Sequence, residues 1–141
     1  MFNKILVPID LNQPDSWEKV LPAVDALAGP EGEVHLLAVL HDLGSAMVGS
    51  YLPDGFERHA VETATAQLEA FVAEHFPNRS NVTPHLSHGH VPEVVLATAK
   101  KIGADLIAMA SHPPDGFRTF FVGSYADKIV HHAPMPVLVM R

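Results

Sequence analysis

The sequence predicts an α/β fold built on a five-stranded parallel sheet, and three observations carry that expectation. Five short apolar runs alternate with stretches whose apolar residues recur at helical spacing, which is the pattern of βαβ units. The runs are nearly continuous rather than alternating, as strands covered on both faces are. A length of 141 residues, with 48% hydrophobic and 18% charged residues, is enough to bury a core and argues against disorder.

The first strand is Ile5-Leu6-Val7-Pro8-Ile9, and it stops at Asp10. Asn12, Pro14 and Asp15 offer cap and first-turn residues for a helix. Its apolar face is Trp17, Val20, Leu21, Val24, Leu27 and Ala28, and Gly29-Pro30 ends it. Pro22 lies inside that pattern, so it either kinks the helix or confines the regular part to the later turns. The second strand is Val34 to Leu40. His41 to Gly55 holds three glycines, a proline and no period, and reads as a loop. A helix follows with Val61, Ala64, Leu68, Phe71 and Val72 on one side, and Pro77 lies beyond its end.

The third strand, Val82 to His88, contains Pro84, which cannot donate to a central ladder; it is therefore expected at a sheet edge. Pro92 suits the first turn of the next helix, which carries Val95, Ala99 and Ile102 inward, with Gly103 as its C-cap. Asp105 to Ala110 reads as a buried fourth strand. Gly123-Ser124 is expected to open the last helix, with Ser124 and Asp127 as a capping box and Ala126, Ile129, Val130 and Ala133 inward. Pro134 and Pro136 stop it, and Val137-Leu138-Val139-Met140 is the last strand. With no linker, repeat or low-complexity segment, residues 1–141 are expected to form one domain.

The formal charge of −7 speaks against general nucleic-acid binding, which needs a dense basic face. There is no cysteine, so disulfides and thiolate metal sites are excluded. Met1-Phe2-Asn3-Lys4 runs directly into a strand without the features of a signal peptide, and no apolar run is long enough for a bilayer, so a cytoplasmic location is expected, with no membrane partner.

Several segments together resemble the universal stress protein family. They are Ile5-Leu6-Val7-Pro8-Ile9-Asp10, Leu37-Ala38-Val39-Leu40, Gly89-His90-Val91-Pro92, and the C-terminal third from Asp105-Leu106-Ile107 through Ser111-His112 and Gly123-Ser124 to His131-His132-Ala133-Pro134 and Pro136-Val137-Leu138-Val139. The resemblance covers essentially the whole chain. It implies the strand order 3-2-1-4-5 with helices on both faces, a Rossmann-like arrangement, and a stress-response regulatory protein rather than an enzyme.

In such a sheet, ligands sit outside the carboxyl ends of the strands where the winding reverses, here between the first and fourth strands. The family's nucleotide-binding branch carries G-x2-G-x9-G-[ST] after the fourth strand, and the matching positions are Ala110, Pro113, Gly123 and Ser124. Two of three glycines are replaced while the spacing is kept. Pro113 and Pro114 each lack an N–H that a phosphate oxygen would accept from. The resemblance implies a bound adenine nucleotide, ATP with or without Mg2+. Backbone groups near Pro8, Ile9 and Val39 would then hold the adenine, and Asp10 the ribose hydroxyls. Ala110, Ser111, His112, Arg118, Gly123, Ser124 and Tyr125 would lie around the sugar and phosphates. The resemblance also implies a homodimer through the last strand and a protein partner whose identity the residues do not give.

Other readings stay beside this one. Ser124 as a plain N-cap, Gly123 as a turn glycine and Asp10 as a solvated strand end describe an interaction protein of the same fold with no nucleotide. Of ten histidines, His85, His88 and His90 cluster; in an extended segment His85 faces away from the other two, which spoils a three-ligand metal site. His131-His132 suits the last turn of a helix, where positive charge complements the dipole. No cysteine nucleophile, nucleophile elbow or complete P-loop is present, which speaks against an enzyme acting on an adenylated substrate and leaves only slow ATP turnover open.

Overall fold

Five strands, β1 (Lys4–Ile9), β2 (Glu33–Leu40), β3 (Val82–His88), β4 (Leu106–Ala110) and β5 (Val137–Met140), pair in parallel in the order β3-β2-β1-β4-β5. The computed structural model describes residues 1–40, 56–111 and 118–141. The strand order agrees with the one the resemblance implied. β3 is an edge, as Pro84 required.

Backbone alternation explains why that proline is tolerated. Asn81 offers its carbonyl to Val34 N–H and Gly89 donates to Leu40, so odd-numbered residues of β3 face β2. Pro84 therefore points its missing donor at the open edge, and the ladder with β2 runs unbroken from Val34–Val82 to Leu40–His88.

Four helices among the described residues cover the sheet: α1 (Val20–Ala28), α2 (Phe56–His75), α3 (Val91–Ile102) and α4 (Arg118–His132). On one face Ile5, Val7, Leu36 and Ala108 pack against Val24 of α1 and Leu68 and Phe71 of α2. On the other, Leu6, Leu37, Ile107 and Met109 meet Val95 and Ala99 of α3 and Ala126 and Ile129 of α4. Ile5, Leu6 and Ile107 are completely buried, each worth roughly 1.5–3 kcal/mol of transfer free energy.

The chain after β1 makes a short 3-10 turn at Pro14–Ser16, and the regular helix begins only at Val20. Pro22 thus falls in the first turn of α1, where its missing N–H would have had no helical partner. Gly103 closes α3 in the left-handed conformation, at φ 71°, as expected of a C-cap glycine. Gly32 is required for another reason: a Cβ there would collide with the carbonyl of Ala28.

Two expectations need correction. The last helix starts at Arg118, not at Gly123-Ser124, so these two residues lie within α4 and Ser124 does not open it. No proline or glycine interrupts Arg118 to Val122, and an internal glycine costs a helix only about 1 kcal/mol, which packing of Ala126 and Ile129 offsets. Asp127 is then free of a capping role and pairs with His131 one turn later, at 3.2 Å. Val130 is half exposed rather than inward, because the buried stripe runs through Ala126 and Ile129 and leaves it on the flank. The expected loop of His41 to Gly55 and the residues His112, Pro113 and Pro114 lie outside the described residues.

Candidate functional site

The ladder between β1 and β4 is short, and its length has a covalent cause. β1 pairs with β2 at six positions from Lys4–Glu33 to Ile9–Ala38, but with β4 only at Ile5–Leu106 and Leu6–Ile107. Asn3 offers its carbonyl to Glu33 of β2, whereas Lys4 offers its carbonyl to Asp105 beside β4. Even-numbered residues of β1 therefore face β4, and Pro8 is one of them. Continuing the ladder would need an N–H at residue 8, which proline lacks. The pairing stops there, and the carboxyl ends of β1 and β4 are left unladdered at the point where the winding reverses.

Asp10 stands at that point, exposed, and the following turn holds it. Its Oδ1 accepts the Asn12 N–H at 3.0 Å, and its carbonyl accepts the Gln13 N–H at 3.0 Å. Its own N–H donates to Ser16 Oγ at 2.9 Å, and that hydroxyl donates to the Gln13 carbonyl at 2.7 Å. Oδ2 of Asp10 has no hydrogen-bond partner among the described residues. The sequence offers Asn12, Pro14 and Asp15 as cap and first-turn residues of a helix, but they lie in and before the 3-10 turn, and Ser16 went unnoticed. An Asx turn at Asp10 followed by a serine was the available sign.

The other predicted site residues divide into three groups. Pro8 and Ile9 end β1, Val39 is near the end of β2, and Ala110 ends β4, with Ser111 after it, so these gather at the carboxyl end of the sheet. Ser111 donates its N–H to Met140 of β5 at 2.6 Å, which turns its backbone donor away from β1. Arg118 is the first residue of α4; Gly123, Ser124 and Tyr125 lie further along it. The Tyr125 ring sits edge-on to His90, with centroids 6.0 Å apart. His112 lies outside the described residues.

A cavity of about 670 Å³ lies elsewhere, between α1 and the turn leading into β3, and is lined by Trp17, Leu21, Pro22, Phe76 and Arg79 among others. Trp17 packs edge-on against Phe71 at 5.0 Å, and its buried Nε1 has no acceptor among the described residues. Arg79 is already fully engaged by Asp25 and backbone carbonyls, which leaves this cavity without a free charge from that side chain. Among the described residues no group of three His, Asp or Glu side chains is placed to hold a metal ion, and no helix is long and apolar enough to cross a membrane.

Residues 1–141 match the profile of the Universal stress protein family. The chain is 30% identical over 143 residues to "Universal stress protein G" of Shigella flexneri, with all of both chains covered. Among solved structures it is similar to hypothetical protein MJ0577, with a TM-score of 0.79, 26% identity, and 99% of this chain and 96% of that one covered. It has the fold of the universal stress protein from Archaeoglobus fulgidus in complex with dAMP: TM-score 0.63, 20% identity, with 98% and 97% covered.

Proposed function

The chain belongs to the universal stress protein family, and from that premise we propose that it is a regulatory protein that holds an adenine nucleotide in the crevice between β1 and β4. One observation carries the reading: Pro8 ends the β1–β4 ladder beside a fixed, exposed Asp10 at the switch point of the sheet. A carboxylate with one oxygen held by its own turn and the other without a partner among the described residues is suited to accept hydrogen bonds from ribose hydroxyls. Backbone groups around Pro8, Ile9 and Val39 then serve the adenine edge. The phosphates lie toward Ser111 and the amino end of α4, which is at Arg118, with Gly123, Ser124 and Tyr125 further down the helix. That a relative of the same fold holds dAMP supports the ligand class; ATP, with or without Mg2+, is the candidate within it.

A second reading has its own support. Because Gly123-Ser124 is internal to α4, the free donors expected there are engaged in the helix, and Pro113 and Pro114 lack theirs. On that ground the chain is an interaction protein without a nucleotide. Melting temperature separates the two. Millimolar ATP, AMP or dAMP raises it if the native state alone binds, by mass action, while inorganic phosphate at the same concentration raises it less. No shift with any adenine nucleotide leaves the second reading standing.

The same proposal extends to a homodimer. Pro136 and Met140 offer their carbonyls to Ile107 and Ser111, so Val137 and Val139 face the open edge of the sheet. Unlike the β3 edge, where Pro84 removes one, this edge keeps all its donors, and a second copy pairing along it satisfies both. Val139→Pro removes an outward donor without touching the β4 ladder. Light scattering is expected to show a wild-type dimer and a variant shifted to monomer; a wild-type monomer at high concentration removes the claim.

A further inference from the structure

We propose that His35 and His85, bonded ring to ring across β2 and β3 and tied through Glu33 to Lys4, form a proton-operated latch that releases the β3 edge of the sheet on acidification. His35 is only 8% exposed, in the middle of an otherwise apolar strand. Its Nδ1 lies 2.8 Å from His85 Nε2, and its Nε2 lies 3.1 Å from Glu33 Oε2. The two rings are nearly parallel, 21° apart, with centroids at 5.1 Å. Glu33 continues the chain to Lys4 Nζ at 3.5 Å, and Lys4 also donates to the Ile102 carbonyl at the end of α3. The charged groups facing the pair are Lys4 from β1, Glu33 from β2 and Lys101 from α3.

The bonding admits one proton and rejects a second. A carboxylate only accepts, so His35 Nε2 donates to Glu33 and its Nδ1 is left to accept from His85 Nε2–H. A first added proton, whichever ring takes it, still leaves one N–H between the two nitrogens and keeps this bond. A second sets two N–H groups against each other at hydrogen-bond distance and two cations side by side, with Lys101 adding a third. Burial, and then the charges of His35 and Lys101, hold His85 below the ordinary histidine value of 6.5. A base whose folded value is lowered takes up its proton more readily once released. The latch is therefore fully closed above that value and weakens as pH falls through and below it. Glu33 is held below the ordinary glutamate value of 4.5 by the His35 hydrogen bond and by Lys4, so it remains an acceptor throughout the histidine range.

β3 is the element that yields. It is an edge strand paired only with β2, with exposed Thr83 and Pro84, whereas β1 and β4 are paired on both sides.

Amide hydrogen exchange followed by NMR between about pH 7.5 and pH 5 tests this, after correction for intrinsic rates, because these limits straddle the histidine range. In the wild type, protection of the β3 amides that face β2, such as Thr83 and Ser87, is expected to fall on the order of tenfold more than that of β1 amides. In His85→Gln the difference should vanish. Equal pH dependence of β3 and β1 in the wild type, or a full differential loss retained in His85→Gln, overturns the proposal. Should the variant not fold, the wild-type His85 titration decides: it is expected below the ordinary histidine value of 6.5, and a curve centred at that value overturns the latch.

Discussion

The two ends of this sheet use their polar groups in opposite ways. At the amino end the side chains of Arg79, Asp105 and Lys4 are engaged in holding the chain. The Arg79 guanidinium, 11% exposed, donates to Asp25 Oδ1 and to the carbonyls of Gly29 and Gly32, which ties the end of α1 and the start of β2 to the turn before β3. Asp105 accepts the N–H groups of Asn3 and Lys4 at 2.8 and 2.9 Å, and Lys4 Nζ donates to the last carbonyl of α3. At the carboxyl end Pro8 interrupts the ladder and Asp10 stands exposed with one carboxylate oxygen unused among the described residues. Groups that are bonded to the fold stabilise it; groups left over at a switch point are available to a ligand.

Mutations at the two ends should separate stability from binding. Arg79→Met has the largest expected effect, a loss of about 3 kcal/mol in denaturant unfolding, because two part-buried carbonyls and the Asp25 carboxylate lose a charged donor together. The single tryptophan, Trp17, packed on Phe71 near this cluster, reports the transition by fluorescence. Asp105→Ala should cost less, about 1–2 kcal/mol, since the two N–H groups it frees lie partly in reach of water. A cost for Asp105→Ala equal to that for Arg79→Met would show that the clamp is distributed evenly along the amino end, against the ranking of burial.

What could be read from the residues alone was whatever local pattern controls. Pro84 announces an edge strand because a missing donor has the same consequence in any sheet. Gly103 announces a helix end because its left-handed φ is inaccessible to most side chains at low cost. The start of α4 was misjudged because Gly123-Ser124 carries strong local cap signals, which the buried stripe of Ala126 and Ile129 overrides. The His35–His85 contact was not legible at all. Fifty residues separate the partners, and nothing in the run from Val34 to Leu40 singles out His35. The same holds for Arg79, whose partners come from α1 and its C-terminal turn. At the candidate site, Asp10 followed from strand position, whereas Ser16, which fixes it, carried only the weak local sign of a serine after an Asx residue.

The smallest expected effect on stability belongs to Asp10→Ala, and it gives the most direct test of the carboxyl end as a ligand site. Asp10 is exposed and accepts one local N–H, so its loss should change unfolding free energy by less than about 0.5 kcal/mol. Calorimetric titration of ATP into the wild type and this variant measures the other side of the comparison. The account predicts saturable heat for the wild type and affinity on the order of tenfold weaker for Asp10→Ala, the loss of hydrogen bonds to a charged acceptor. Wild-type protein that gives no heat with ATP, or a variant that binds as tightly as the wild type, would contradict it.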